Sequence, residues 1–404
     1  MKTTESQPIY DCIIIGAGIS GLSFAHHLNK EKQDVLILEK ESEYGGQIKT
    51  FKSEKSDYWC ELGAHTCYNM YTNLLSIVKD LYADDEVLPM RKCSYVMYAS
   101  GKIRSVFSQL SILGMACNCF RIFNSKKEGK TVKEFFQPIV GKRNYNPLFS
   151  NLFRAVISQN ADEYPTEMFL KRRKARMEEF PRKYTFQTGI KTLLDLIVEK
   201  DNLSVIYNSE VLSVSVNDSL YTISTNRGTY QTRKIAFATD PQTTGKLLNG
   251  IDTNISEILS DIKLSRSESL NVVVEKDRIS LKEIAGIIPM DDAFSSVVAR
   301  DTVLHPLYRG FTFHFEDGKK TLKEQIETAC KVLNISEKDI VEHSSTKHVL
   351  PAPRIKDMNI TERIDTHKDI YVLGNYLYGL SLEDCAHRSA EEYKRYKIEM
   401  LNMG

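Results

Sequence analysis

The sequence predicts an α/β fold: a Rossmann-like domain that the chain crosses three times, with a helical insert and a mixed-sheet insert between the crossings. Three observations predict it. An apolar strand pattern at residues 10–15 runs into Gly16-Ala17-Gly18-Ile19-Ser20-Gly21 and then into a helix pattern. Alternating strand patterns return between residues 205 and 225. A last strand, Ile370-Tyr371-Val372-Leu373, enters glycine-bounded turns before a closing helix over 384–401.

Composition sets the outer bounds. A chain of 404 residues is long enough for more than one domain and a large core. It holds 54 Lys+Arg against 53 Asp+Glu, a net charge of +1, so no nucleic-acid partner is expected. With 42% hydrophobic and 26% charged residues, wholesale disorder is excluded. The 8 cysteines form no C-x-x-C pair, so neither a zinc ribbon nor a thioredoxin-type dithiol is expected; no metal site is expected. Unpaired thiols fit a reducing, cytoplasmic setting. Residues 1–11 are polar and lack a basic segment followed by a cleavage site, so no signal peptide is expected.

The first unit has a physical task for each part. The β-branched run at 10–15 reads as a strand buried on both faces. Gly16 permits the tight turn, Gly18 lets backbone approach a pyrophosphate, and Gly21 lets the helix pack on the strand. Ile19 and Ser20 open that helix, whose free N–H groups favour an anion. Residues 34–38 form the second strand. Glu39 ends it, roughly 20 residues after the glycines, where a carboxylate accepts hydrogen bonds from a ribose. Strand, glycine loop, helix, strand and acid together specify a dinucleotide site.

The next segment narrows the dinucleotide. Gly45-Gly46-Gln47-Ile48-Lys49-Thr50 follows the acid, and Glu61-Leu62-Gly63-Ala64-His65 follows that. With these motifs the chain resembles the flavin-dependent amine oxidase superfamily. The resemblance implies a Rossmann-like, GR2-type domain holding FAD noncovalently. It implies a glycine-pair turn on the pyrophosphate at Gly45 and Gly46, with Lys40 and Gln47 beside it. Gln47 stands where the family commonly has a basic residue, so phosphate charge falls to Lys49. Gly63, Ala64 and His65 would pass beside the flavin. Thr185-Phe186-Gln187-Thr188-Gly189-Ile190 resembles the family's return to the FAD domain, and Ala238-Thr239-Asp240-Pro241 a strand end next to it. Val211 reads by itself as a core-strand valine, whereas the resemblance assigns its backbone to the adenine.

Gly374-Asn375-Tyr376-Leu377-Tyr378-Gly379-Leu380-Ser381 is most similar to the protoporphyrinogen oxidase branch. There Gly374, Asn375, Gly379, Leu380 and Ser381 would meet the flavin, and the following helix would aim its positive end at it.

These anchors give an FAD domain at 8–82, 184–260 and 346–404, a helical insert at 83–183, and a sheet-and-helix insert at 261–345. Residues 105–120 carry no charge and read as a buried helix, the alternative being a peripheral membrane contact. The basic run Lys171, Arg172, Arg173, Lys174 and Arg176 reads as a solvated helix face, the alternatives being steering of an anionic substrate or contact with an anionic membrane.

The resemblance implies an FAD-dependent oxidoreductase that moves hydride from a substrate C–H bond to flavin N5, which asks little of the protein beyond positioning. No second G-x-G-x-x-G is present, so oxygen is the expected acceptor of the electrons from a small-molecule substrate. The reading is protoporphyrinogen-oxidase-like; an amine or amino-acid oxidase, a flavin-dependent sugar mutase and a non-catalytic flavoprotein are the alternatives. Amine oxidases usually carry a lysine in the sheet that roofs the flavin, and residues 285–300 have none. Candidate substrate contacts are His65, Arg91 (with Arg104 competing for its place) and the aromatic pair Tyr376 and Tyr378. The sequence fixes no oligomeric state.

Overall fold

The structure, a computed structural model, describes residues 8–111, 115 and 118–402. Two seven-stranded sheets organise it. The first runs in the order Ser204–Ile206, Val35–Leu38, Ile9–Ile15, Gly228–Phe237, Leu220–Thr225 and Val211–Asn217. Ile370–Val372 joins the C-terminal half of Gly228–Phe237 in parallel. Ile9–Ile15 lies between two parallel neighbours, Val35–Leu38 and Gly228–Phe237, so both of its faces are covered. This is why it ends in the β-branched run Ile13-Ile14-Ile15: Ile13 and Ile14 are fully buried on opposite faces. The helix Ile19–Asn29 makes the crossover to Val35–Leu38 and buries Leu22, Phe24, Ala25 and Leu28 in the core.

The second sheet runs in the order Ile340–Ala352, Lys263–Glu275, Tyr308–Glu316, Ser296–Ala299, Gly286–Pro289, Tyr95–Ala99 and Lys102–Ser105. One face carries Leu270, Val272, Phe311 and Phe313, packed with Ile326, Ala329 and Val332 of the helix Leu322–Leu333. The other face carries Ser269, Asn271, Thr312 and His314, all buried and all polar. Strict alternation produces this division, because successive side chains of a strand point to opposite faces.

Four expectations are corrected. The 83–183 insert is not wholly helical: Tyr95–Ala99 pairs in parallel with Gly286–Pro289, so both inserts build one sheet. Ile340–Ala352 crosses the expected boundary at 346, because it pairs along the whole of Lys263–Glu275. The basic run at 171–176 is not a helix. Lys171 and Arg173 instead reach Asp384, at 3.0 and 2.8 Å. Finally, residues 105–120 are not one buried helix. They open with the 3-10 turn Val106–Gln109, where Phe107 is exposed. Residues 112–114 and 116–117, with Cys117, lie outside the described residues. No helix of the described residues is long and apolar enough to cross a membrane.

Candidate cofactor and active site

The glycine loop closes tightly where the first strand ends. Gly16 has φ +105°, and a Cβ there would lie 2.7 Å from the Ala238 carbonyl oxygen. Gly21 lies inside the helix Ile19–Asn29, where a Cβ would run into the Gly16 carbonyl. Gly18 is the N-cap, with no side chain capping it and no acid in the first turn. The helix therefore presents open N–H groups and its positive dipole end. The Gly45-Gly46 turn comes alongside: Gly45 N–H donates to the Ala17 carbonyl at 2.9 Å. A Cβ on Gly46, whose φ is +57°, would sit 3.2 Å from Gly18 Cα.

Glu39 is buried at the end of the second strand. Its Oε2 accepts from Ala17 N–H at 2.7 Å and its Oε1 from Glu41 N–H at 2.9 Å. Each oxygen keeps a lone pair for a hydroxyl donor. Ser209, whose N–H donates to the Glu39 carbonyl, has a buried hydroxyl with no partner among the described residues. Open helix end, backbone without Cβ atoms, buried carboxylate and orphaned hydroxyl together fit a dinucleotide. Ser209 was missed by motif reading, and only its place two residues before Val211 could have flagged it. Val211 is half-buried and opens the strand Val211–Asn217. Ala238 packs beside Gly21 and donates to the Ile15 carbonyl.

The expected phosphate charges are placed differently. Lys40 is exposed and faces Glu41 at 3.7 Å. Lys49 is half-buried and faces Glu43 at the same distance. The Gln47 side chain turns to the second sheet: its Oε1 accepts from Val349 N–H at 3.2 Å and meets His348 Nδ1 at 3.3 Å.

Glu61 is the buried carboxyl of the next segment. It accepts from Thr50 Oγ1 at 2.9 Å and from Ile190 N–H at 2.6 Å. Burial pushes its pKa up to about 7, against those hydrogen bonds. The second sheet clamps the same segment from above. Thr312 Oγ1 donates to the Glu61 carbonyl at 2.7 Å, and His348 Nε2 to the Leu62 carbonyl at 2.9 Å. Gly63 lies against the His348 ring: a Cβ there would sit 3.2 Å from the ring and 3.3 Å from the Gln47 carbonyl oxygen, a tight contact. Ala64 is exposed. His65 is half-buried and donates to the Gly63 carbonyl at 3.2 Å.

His65, His348 and His314 approach one another here. Burial lowers the pKa of all three, that of His314 to about 3, with His348 and His65 adding repulsion. His314 is held by Ser269 Oγ at 2.8 Å. The roof over this segment is thus polar but uncharged at neutral pH. Both polar atoms of the Asn271 amide, and the Ser296 hydroxyl, are buried in it without partners among the described residues. Sequence reading found His65 and missed His314, His348 and Asn271, which lie some 200 to 280 residues further along the chain.

The C-terminal expectations need correction. Tyr376 is fully buried in the core, its hydroxyl 3.4 Å from Thr244 Oγ1, so it forms no open aromatic pair with Tyr378. Gly374, with φ +139°, turns the chain against that ring. Tyr378 packs on His387, beneath Lys171 and Arg388. Ser381 caps the helix Leu382–Leu401 by accepting from Asp384 N–H. With Glu383 and Asp384 in the first turn, the positive end of this helix is already answered within the chain. Asn375 and Leu380 are half-buried beside it, and Gly379 backs onto the Asp384 carboxylate. Arg91 is exposed and ion-paired to Glu283 at 3.0 Å, and Arg104 is exposed on an edge strand, so neither is a free anchor in a pocket.

Residues 19–249, more than half of the chain, match the model of the flavin containing amine oxidoreductases. The chain belongs to that family. Over 93 residues this amine oxidoreductase is 34% identical to "Possible lysine-specific histone demethylase 1" of Drosophila melanogaster, covering 23% of this chain and 10% of that protein. The matched segments span between about a tenth and a fifth of the curated relatives' length. Two solved structures share its fold. A candidate protoporphyrinogen oxidase of Exiguobacterium sp. 255-15 superposes with a TM-score of 0.78, at 13% identity, over 98% of this chain and 100% of that one. Cyclohexylamine oxidase of Brevibacterium oxydans IH-35A does so with a TM-score of 0.74, also at 13% identity, over 97% and 100%. Family membership fits a flavin to the glycine cradle described above.

Proposed function

We propose that this family member is an oxidase that holds FAD noncovalently, with oxygen as the terminal electron acceptor and a protoporphyrinogen-like substrate. The observation that carries this reading is the junction of two surfaces. A glycine cradle with a buried carboxylate lies on the first sheet, and an uncharged polar roof on the second is hydrogen-bonded to the Glu61-Leu62 segment that follows it.

When bound, FAD supplies a hydride acceptor, so the protein needs no nucleophile or metal of its own for that chemistry. The backbone N–H groups at Ile19, Ser20 and Gly21 would hold the pyrophosphate, and Glu39 the ribose. Glu61 holds a proton near neutral pH and keeps the Leu62-Gly63 backbone in place between Thr50 and Ile190. His65, His314 and His348 orient polar groups without adding charge. A site roofed by the second sheet would exclude water, which strengthens each of these contacts. The absence of lysine from residues 285–300 supports a carbon-skeleton substrate over an amine. Buried, unpaired Cys12, Cys60, Cys67 and Cys385 support a cytoplasmic setting.

The test is anaerobic bleaching of the flavin absorbance by protoporphyrinogen and by a panel of amines and amino acids. Bleaching by the tetrapyrrole, with peroxide formed on admitting air, is the expected result. Bleaching by amines alone would make the protein an amine oxidase. Flavin that stays with the protein after acid precipitation would overturn noncovalent binding.

A further inference from the structure

Shortly after His65 the chain enters a three-stranded sheet, in which Lys183–Phe186 pairs with Cys67–Tyr68 on one side and Val87–Pro89 on the other. Alternation sorts its side chains. Cys67, Tyr184 and Phe186 enter the core beneath the first sheet. Tyr68 stands opposite Lys183 in register, so both face the other way, with Thr185 further along the same strand face. The exposed Lys183 ammonium lies 5.9 Å from the centre of the Tyr68 ring. Its charge adds to burial in lowering the His65 pKa, and it makes no ion pair among the described residues. The Thr185 hydroxyl is buried without a partner among the described residues. The second sheet adds another phenol. Tyr95 opens the strand Tyr95–Ala99, and its ring lies on Gly286 of the neighbouring strand, where a Cβ would come within 2.9 Å of it. Partial burial raises the pKa of Tyr68 and of Tyr95, and Tyr68 adds to the rise at Tyr95, so the two phenols are neighbours that keep their protons at neutral pH. Neither hydroxyl makes a hydrogen bond among the described residues.

Two free phenol donors and one unpaired ammonium thus gather next to His65. Donors without an acceptor of their own match an anion with two acceptor oxygens. One cation matches one negative charge, hence a carboxylate rather than a phosphate. The phenol rings favour a carboxylate carried on an apolar, unsaturated skeleton. Arg91, the cation expected from sequence to anchor a substrate, is tied to Glu283 instead. We infer that Lys183, with the hydroxyls of Tyr68 and Tyr95, anchors a carboxylate of the substrate beside the flavin and so selects acids over their amides. The inference rests on the reading that puts the flavin beside Gly63, Ala64 and His65, and not on the substrate being a tetrapyrrole.

The experiment titrates the purified full-length, flavin-loaded protein with 2-naphthoate and with its uncharged amide, followed by the flavin absorbance bands and by calorimetry. The expected result is naphthoate binding that shifts the bands and weakens with salt, with the amide bound roughly tenfold or more weakly. Lys183→Met should cost naphthoate a similar factor and leave the amide unchanged, whereas Lys183→Arg should keep most of the preference. Tyr68→Phe with Tyr95→Phe should weaken naphthoate more than the amide. Flavin content and circular dichroism should match the parent in each variant, which separates lost anchoring from lost folding. A parent that binds neither ligand, or both alike, or a Lys183→Met protein that binds naphthoate as the parent does, would show the inference to be wrong. Binding that depends on Lys183 but leaves the flavin bands unmoved would place the anchor away from the flavin and overturn it as well. Naphthoate offers the flavin no hydride, so none of these outcomes depends on whether protoporphyrinogen bleaches it.

Discussion

Two glycines three residues apart make opposite predictions. At Gly18 φ is −81°, and a Cβ would meet only Gly46 Cα, at an ordinary 3.9 Å. Gly18→Ala should leave the stability of the flavin-free chain within about 0.5 kcal/mol of the parent. It should nevertheless lower flavin retention, because the added methyl faces the space a pyrophosphate would fill. Gly21→Ala should fail to fold stably, since its methyl would meet the Gly16 carbonyl. Thermal melts and flavin-to-protein absorbance ratios check both; a Gly18→Ala protein with full flavin content would sink the cradle assignment. Glu61 gives a pH prediction. Its pKa is raised from 4.5 to about 7, so the folded chain binds more protons than the unfolded one between those values. Stability of the flavin-free chain should therefore fall as pH rises through that window, by about 3 kcal/mol, and then level off. Glu61→Gln should flatten that part of the curve in urea titrations at several pH values. The glycines and Glu39 were legible in the sequence because their roles are fixed by neighbours close along the chain. The clasp on Glu61 was not, because Ile190 is 129 residues away.

At the scale of the element, the C-terminal helix Leu382–Leu401 is held by a buried cation. Arg388 is 1% exposed. It donates to the Val372 carbonyl at 3.0 Å, pairs with Asp365 at 2.7 Å, and contacts Glu392, which is equally buried. Removing the guanidinium leaves Glu392 only Arg395 as an ion-pair partner among the described residues. Arg388→Met should cost about 3–5 kcal/mol in denaturant unfolding. Arg388→Met with Glu392→Met should recover a large part of that loss, and a double variant no better than the single one would contradict the pairing. The helix itself was legible from its pattern, and the structure starts it two residues earlier than expected, at Leu382. Its N-terminal role was not legible. Ser381 and the helix end read as flavin-facing by resemblance, whereas Lys171 and Arg173 reach Asp384 in its first turn from more than 200 residues upstream. Charge runs carry no period that separates a helix face from an extended strap, and so the basic run was misplaced.

The whole molecule turns on a seam between its two sheets. Local periodicity identified strands in both, but not that Tyr95–Ala99 and Gly286–Pro289 are neighbours, since parallel pairing leaves no turn signal in the chain. The seam includes Thr312 on the Glu61 carbonyl, His348 on the Leu62 carbonyl, and Val349 on Gln47. All three bonds land on the segments that follow the glycine cradle. Order imposed on the cradle is therefore passed directly to the second sheet, and the two should unfold together. In calorimetry the parent should show one transition, raised as a whole by flavin, about 2.7 kcal/mol at a hundredfold excess over its dissociation constant. Thr312→Val with Gln47→Ala removes two of these bonds and leaves a buried carbonyl unsatisfied, at about 1–3 kcal/mol. That variant should unfold in two steps, with flavin raising only the step that contains the glycine cradle. A parent that already melts in two steps, with one indifferent to flavin, would show that the seam does not couple the sheets. The polar roof and the cradle would then be separate units rather than two walls of one site.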